Sequence, residues 1–131
     1  MDVLIVEDDP DIVSLMQRWL EREGHAVRHA ATGTAALEML AADPLPHLVL
    51  LDVMLPKVDG FAVLQRIRAE ARTMALPVVM VTSFTRDKDA KRGRDLGADD
   101  YIVKPLMELD FLERVAAAMK IKPLTWPRVI Q

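Results

Sequence analysis

The sequence predicts a doubly wound (βα)5 sandwich, a five-stranded parallel sheet in the order 2-1-3-4-5 with helices on both faces. Three observations carry this. Short apolar runs alternate five times with stretches of helical periodicity, the pattern of a parallel sheet with right-handed crossovers. The run Leu48 to Leu51 is unbroken by polar residues, as suits a strand buried on both faces. The first and third runs end in carboxylates, Glu7-Asp8 and Asp52. In the order 2-1-3-4-5 these two strands flank the switch point, where ligands of open α/β sheets collect.

The elements follow in order. Val3 to Val6 is a β-branched-rich strand, and Pro10 opens the first helix with Asp9 as its N-cap. Ile12, Leu15, Met16, Trp19 and Leu20 form that helix's apolar face, and Gly24 ends it. Ala26 to Ala30 reads as an edge strand. Thr32-Gly33 opens a second helix facing inward through Ala36, Leu37 and Leu40, and Asp43-Pro44 closes it. After the central strand, Pro56 and Asp59-Gly60 force a turn, and Asp59 caps a third helix with Phe61, Leu64 and Ile67 inward. Pro77 introduces a strand from Val78 to Val81 that ends at Thr82-Ser83. The segment Arg86 to Asp95 holds eight charges, with Ala90 and Gly93 its small residues. It reads as a helix with a thin buried stripe, weakly held and easy to shift. Asp100 to Val103 is the last strand, ending at Lys104-Pro105. The fifth helix buries Leu109, Leu112, Val115, Ala116 and Met119.

A chain of 131 residues predicts one domain, assigned to residues 1–121, with 122–131 as a tail or the start of a linker. The tail, with two prolines, Trp126, Val129 and Ile130, is too apolar for a flexible linker and too short for a second domain. The absence of cysteine excludes disulfides and thiolate metal sites and fits a reducing cytosol. The N-terminus has no basic region ahead of its apolar run, so it does not read as a signal peptide. No apolar stretch reaches membrane-span length. A net charge of −3 with scattered signs argues against nucleic-acid binding by this domain.

Three carboxylates converging in a cleft repel one another, and a hard divalent cation with oxygen ligands, Mg²⁺ above all, is the usual answer. Thr82 and Lys104 lie at strand ends facing the same cleft. A cation, an ammonium, a hydroxyl and a carboxylate nucleophile make a site for a phosphoryl group, because positive charge offsets the repulsion between two anions.

Glu7-Asp8, Asp52 followed by MLPKVDG, Thr82 and Lys104-Pro105, in this order and spacing, resemble the receiver domain of bacterial two-component response regulators. The resemblance covers residues 1 to 120 and implies the flavodoxin-like, CheY-like version of the fold. It implies that Asp52 is the phosphoacceptor for a sensor histidine kinase. Glu7, Asp8, Asp52 and the backbone carbonyl of Met54 would hold Mg²⁺, with Mn²⁺ as a substitute. Thr82 and Lys104 would contact the phosphoryl oxygens, Thr82 and Tyr101 would act as the switch, and the Lys104-Pro105 bond would be cis. The partners implied are a sensor kinase or phosphotransfer protein and an effector domain or downstream protein. Phosphorylation would alter the face formed by the fourth helix, fifth strand and fifth helix. The chain would catalyse its own phosphorylation and slow dephosphorylation without being a turnover enzyme.

Some positions depart from the family pattern. Ser83 stands where alanine is common, and Leu106 where phenylalanine is often found. Asp110 and Arg114 fit the charged network through which some regulators form homodimers by their last two helices, but Ala90 and Ala116 replace usual basic residues. Met54 and Phe84 flank the phosphoryl site and cannot orient an attacking water, which implies slow self-dephosphorylation. His25, His29 and His47 are scattered and read as ordinary residues. A haloacid-dehalogenase-like phosphatase would need a second aspartate at position 54, which is Met. A nucleotide-binding domain would need a Gly-rich loop after the first strand. A receiver fold serving as a phosphorylation-independent interaction module is the remaining alternative.

Overall fold

A computed structural model describes residues 1–121. The strands are β1 (Asp2–Val6), β2 (Ala26–Ala30), β3 (Leu48–Leu51), β4 (Val78–Thr82) and β5 (Asp100–Val103). They form one parallel sheet in the order β2-β1-β3-β4-β5. The helices are α1 (Pro10–Arg22), α2 (Gly33–Leu40), α3 (Gly60–Ala69), α4 (Asp87–Asp95) and α5 (Glu108–Met119). The tail and its Trp126 lie outside the described residues. Among those described, no helix is long and apolar enough to cross a membrane.

Because side chains alternate along a strand, the sheet divides the core in two. Val3, Ile5, Leu48, Leu50, Val79 and Val81 face α1 and α5, while Leu4, Val6, Val49, Leu51, Val78 and Met80 face α2 and α3. On the α1/α5 side the rings of Trp19 and Phe111 meet in a tilted contact with centroids 5.6 Å apart. This contact corrects the expected face of α5. Phe111 is fully buried, whereas Leu109 is 43% exposed. The helix begins only at Glu108, so Leu109 lies in its first turn and points outward. In α1 the residues expected inward, Ile12 and Leu15, are half-buried and Val13 takes the buried place.

The caps are those the sequence implies. Asp9 accepts the N–H of Asp11, Thr32 that of Ala35 and Asp59 that of Ala62, each satisfying a donor the helix leaves unpaired. The helix α4 has no side-chain cap, and its buried residues are Asp89 and Gly93. Ala90, expected inward, is only half-buried.

Register sets the site. Val6 pairs with Leu51 across β1 and β3, and the Asp52 N–H donates to the Val6 carbonyl at 3.0 Å. Glu7 and Asp52 therefore leave their strands side by side. On the other flank Thr82 pairs with Val103, and the Lys104 N–H donates to the Thr82 carbonyl at 2.9 Å. Gly60 completes the arrangement: a Cβ there would stand 2.0 Å from the Asp52 carbonyl oxygen, so only glycine lets α3 start against the end of β3.

Candidate functional site

Glu7 and Asp52 are 1% and 4% exposed, so two carboxylates are buried next to each other at the carboxyl edge of the sheet. Asp8 stands beside them, exposed, and one oxygen from each of the three lies within 4.8 Å of the others. Lys104 answers part of this charge. Its Nζ donates to Glu7 Oε1 at 2.5 Å and to Asp52 Oδ2 at 3.2 Å. Glu7 Oε2 also accepts the Asp9 N–H at 3.1 Å, and Asp52 Oδ1 accepts the Met54 N–H at 3.2 Å. The latter is the turn-capping bond that a strand-end aspartate makes in any setting; it leaves Oδ2 facing the ammonium.

Three acids face one base. Burial pushes the Glu7 carboxyl above its usual range and the charge of Asp52 adds to this, outweighing the Lys104 and Asp9 hydrogen bonds. Burial alone would lower Lys104. The bonds and charges of Glu7 and Asp52 overcome it and hold the ammonium above its ordinary value. Three converging carboxylates, all oxygen donors and short of positive charge, suit a hard divalent cation.

Thr82 is fully buried, and its Oγ1 accepts the Phe84 N–H at 3.3 Å. The Lys104–Pro105 peptide is cis, as is Asp43–Pro44. Tyr101 is half-buried on the α4 side of β5, with its hydroxyl donating to the Phe84 carbonyl at 3.0 Å. Its ring lies against Gly93, where a Cβ would stand 3.2 Å from Tyr101 Cδ2. Burial raises the Tyr101 phenol above its ordinary value, and the charges of Asp89 and Asp52 add to the effect. Glu7, Asp8, Asp52, Thr82, Lys104 and Met54 thus gather at one end of the sheet, with Tyr101 linked to them through the β4–α4 loop. Asp9 serves as the cap of α1.

A cleft of about 470 Å³ opens beside the acids, lined by Asp8, Met54, Phe61, Phe84, Arg86 and Arg92 among others. Met54 is 58% exposed. Three features here were not expected from sequence. Asp89 is buried against Arg86, with contacts of 2.9 and 3.3 Å. The Arg92 guanidinium lies over the Phe61 ring, 4.5 Å from its centroid. His29, on β2, contacts the Glu7 carbonyl through Nε2 at 2.8 Å. In a helix this rich in charge, spacing alone cannot tell a buried aspartate from a solvated one. His25 and His47 lie at the opposite edge, just ahead of β2 and β3.

Comparison with known proteins identifies the family. A model of the response regulator receiver domain matches residues 3–116. The DNA-binding dual master transcriptional regulator RpaA of Synechocystis sp. is 43% identical over 118 residues, 90% of this chain and 48% of that protein. The chain spans about half the length of the curated relatives of this kind that it matches. A crystal structure of a putative response regulator from Chloroflexus aurantiacus superposes with a TM-score of 0.87 at 32% identity, covering 91% of this chain and 97% of that one. The Mn²⁺-bound form of response regulator Rcp1 superposes with a TM-score of 0.77 at 29% identity, covering 88% and 89%. From the fold, the acidic cluster at its switch point and these matches, the chain belongs to the response regulator receiver domain family.

Proposed function

We propose that this receiver domain accepts a phosphoryl group on Asp52 from a sensor histidine kinase or phosphotransfer protein. The observation that carries the reading is the pairing of a buried Asp52 carboxylate with the Lys104 ammonium, next to two further acids at the mouth of a cleft. An Asp52 carboxylate oxygen attacks phosphorus, and the donor's leaving group departs in line. Lys104 offsets the meeting of two anions and stays with the phosphoryl oxygens afterwards. Glu7, Asp8, Asp52 and the Met54 carbonyl would hold Mg²⁺ or Mn²⁺, which supplies positive charge to the transferring group.

Thr82 is the sensor of the product. Its hydroxyl accepts from the Phe84 N–H and still has its own proton to donate to a phosphoryl oxygen. Movement of Thr82 bears on the Phe84 carbonyl and so on the hydroxyl of Tyr101, whose ring packs on Gly93 of α4. The thin packing of α4 makes the face of α4, β5 and α5 the part that responds, presenting a changed surface to an effector domain or downstream protein. The domain spans residues 1–121 and works in the cytoplasm, and it turns over only its own phosphoryl group.

The reading is tested by intact mass after incubation with acetyl phosphate, with and without Mg²⁺, for the wild type and Asp52→Asn. One Mg²⁺-dependent phosphoryl adduct, absent in the variant, is expected. No adduct on the wild type under any condition would overturn the reading and point to an interaction module that works without phosphorylation.

A further inference from the structure

We propose that His29 is a positioning residue for the acidic cluster: its imidazole fixes the Glu7–Asp8 peptide and so keeps the Asp8 carboxylate where it can share a divalent cation with Glu7 and Asp52. This role rests on the cluster serving as a Mg²⁺ site. His29 Nε2 stands 2.8 Å from the Glu7 carbonyl oxygen. A carbonyl can only accept, so the ring carries a proton on Nε2 and donates it.

The bond takes the place of a missing rung of the sheet. β1 and β2 pair as far as Val6 and Ala30, and the Glu7 N–H donates to the Ala30 carbonyl at 3.1 Å. Continuing the parallel ladder would bring the N–H of Thr32 to the Glu7 carbonyl. Thr32 is instead the N-cap of α2, and among the described residues no backbone N–H reaches that carbonyl. Glu7 is 1% exposed, so its carbonyl is poorly placed to find a partner in bulk water. The imidazole of the edge strand supplies the donor.

Asp8 is the member of the cluster that depends on this bond. Lys104 and the Asp9 N–H hold the Glu7 carboxylate, and Lys104 and the Met54 N–H hold that of Asp52. Asp8 is exposed, and among the described residues its carboxylate forms no ion pair. Its place is therefore set chiefly by its backbone. The peptide between Glu7 and Asp8 is planar, so fixing the direction of its C=O also fixes the N–H and Cα of Asp8. Loss of the imidazole frees that peptide to turn toward solvent. The Asp8 oxygen then leaves the arrangement in which one oxygen of each acid lies within 4.8 Å of the others. His29 acts on a cation through the ligand, without touching the ion.

The test is Mn²⁺ binding, followed by the fall of the free-ion electron paramagnetic resonance signal. Wild type, His29→Ala and His29→Gln are compared, each also in an Asp8→Asn background. His29→Ala is expected to weaken binding by about tenfold, the lower end for a residue that orients a metal ligand. His29→Gln, whose amide N–H can reach the same carbonyl, is expected to bind within about threefold of the wild type. In the Asp8→Asn background both substitutions are expected to change binding by less than about twofold. Long-range proton–nitrogen NMR correlations of the wild type are expected to show the His29 ring proton on Nε2. A proton confined to Nδ1, equal affinity in wild type and His29→Ala, or a His29→Gln variant as weak as His29→Ala overturns the positioning role. An equal loss with and without the Asp8 carboxylate also overturns it, because a merely loosened fold weakens every ligand alike. No Mn²⁺ binding by the wild type overturns the metal reading itself.

Discussion

Among the described residues, Lys104 is the one cation in direct contact with two buried carboxylates, and removing it leaves Glu7 and Asp52 facing each other with no ammonium between them. Lys104→Met is expected to destabilise the metal-free domain by at least about 2 kcal/mol, since unpaired buried charge is the costly outcome. Adding Mg²⁺ is expected to narrow the gap. Urea unfolding with and without Mg²⁺ checks this, and a variant as stable as the wild type in EDTA would contradict it. Tyr101 is the only tyrosine in the chain, so its titration can be followed directly by tyrosinate absorbance. Its folded pKa is raised above its ordinary value of 10.0, first by burial and then by Asp89 and Asp52. The stabilising contribution is therefore fully present below that value and is lost as pH rises through the folded pKa. A native midpoint at or below 10 would contradict the placement of the ring.

At the scale of elements, α4 is the weak one. Its buried side-chain positions are an aspartate and a glycine, and it lacks a side-chain N-cap. Amide exchange in residues 87–95 is expected to be the fastest of the five helices, and protection there equal to α5 would contradict the account. Gly93→Ala sets two effects against each other. Alanine favours the helix by up to about 1 kcal/mol, but its Cβ would meet the Tyr101 ring at 3.2 Å. The ring is expected to swing outward, breaking its bond to Phe84 and moving the Tyr101 midpoint down toward 10. An unchanged midpoint would mean that the ring adjusts in place. These two helices also show what sequence could and could not reveal. Most of the α5 face was legible from its helical spacing, but not Phe111, which takes the place expected of Leu109 because it lies one turn from Val115 and two from Met119. In α4 the burial of Asp89 and the Arg92–Phe61 stack were not legible. Both depend on what lies opposite, and a charged helix carries no pattern to reveal that.

For the whole molecule, the strand order and the positions of Glu7, Asp8, Asp52, Thr82 and Lys104 were legible for one physical reason. In a parallel doubly wound sheet the carboxyl ends of the strands lie along one edge, so residues that end apolar runs must gather there. The convergence on Lys104 is a product of that topology and of the β1–β3 and β4–β5 registers. The same gathering places Met54 and Phe84 at the cleft, and neither side chain can hold a water in line for attack. A phosphoryl half-life of minutes or longer is expected for the isolated domain, and Met54→Asn, which adds an amide able to orient water, is expected to shorten it. A wild-type half-life of seconds would contradict this.

The most direct measurement of Asp52 as the proposed phosphoacceptor is to trap the phosphoryl group there. After incubation with acetyl phosphate and Mg²⁺, borohydride reduction converts an aspartyl phosphate to homoserine, and peptide mapping locates the change. Homoserine at position 52, dependent on the phosphodonor, is the expected result. Homoserine at another acid, or none anywhere despite a phosphoryl adduct on the intact chain, would contradict it.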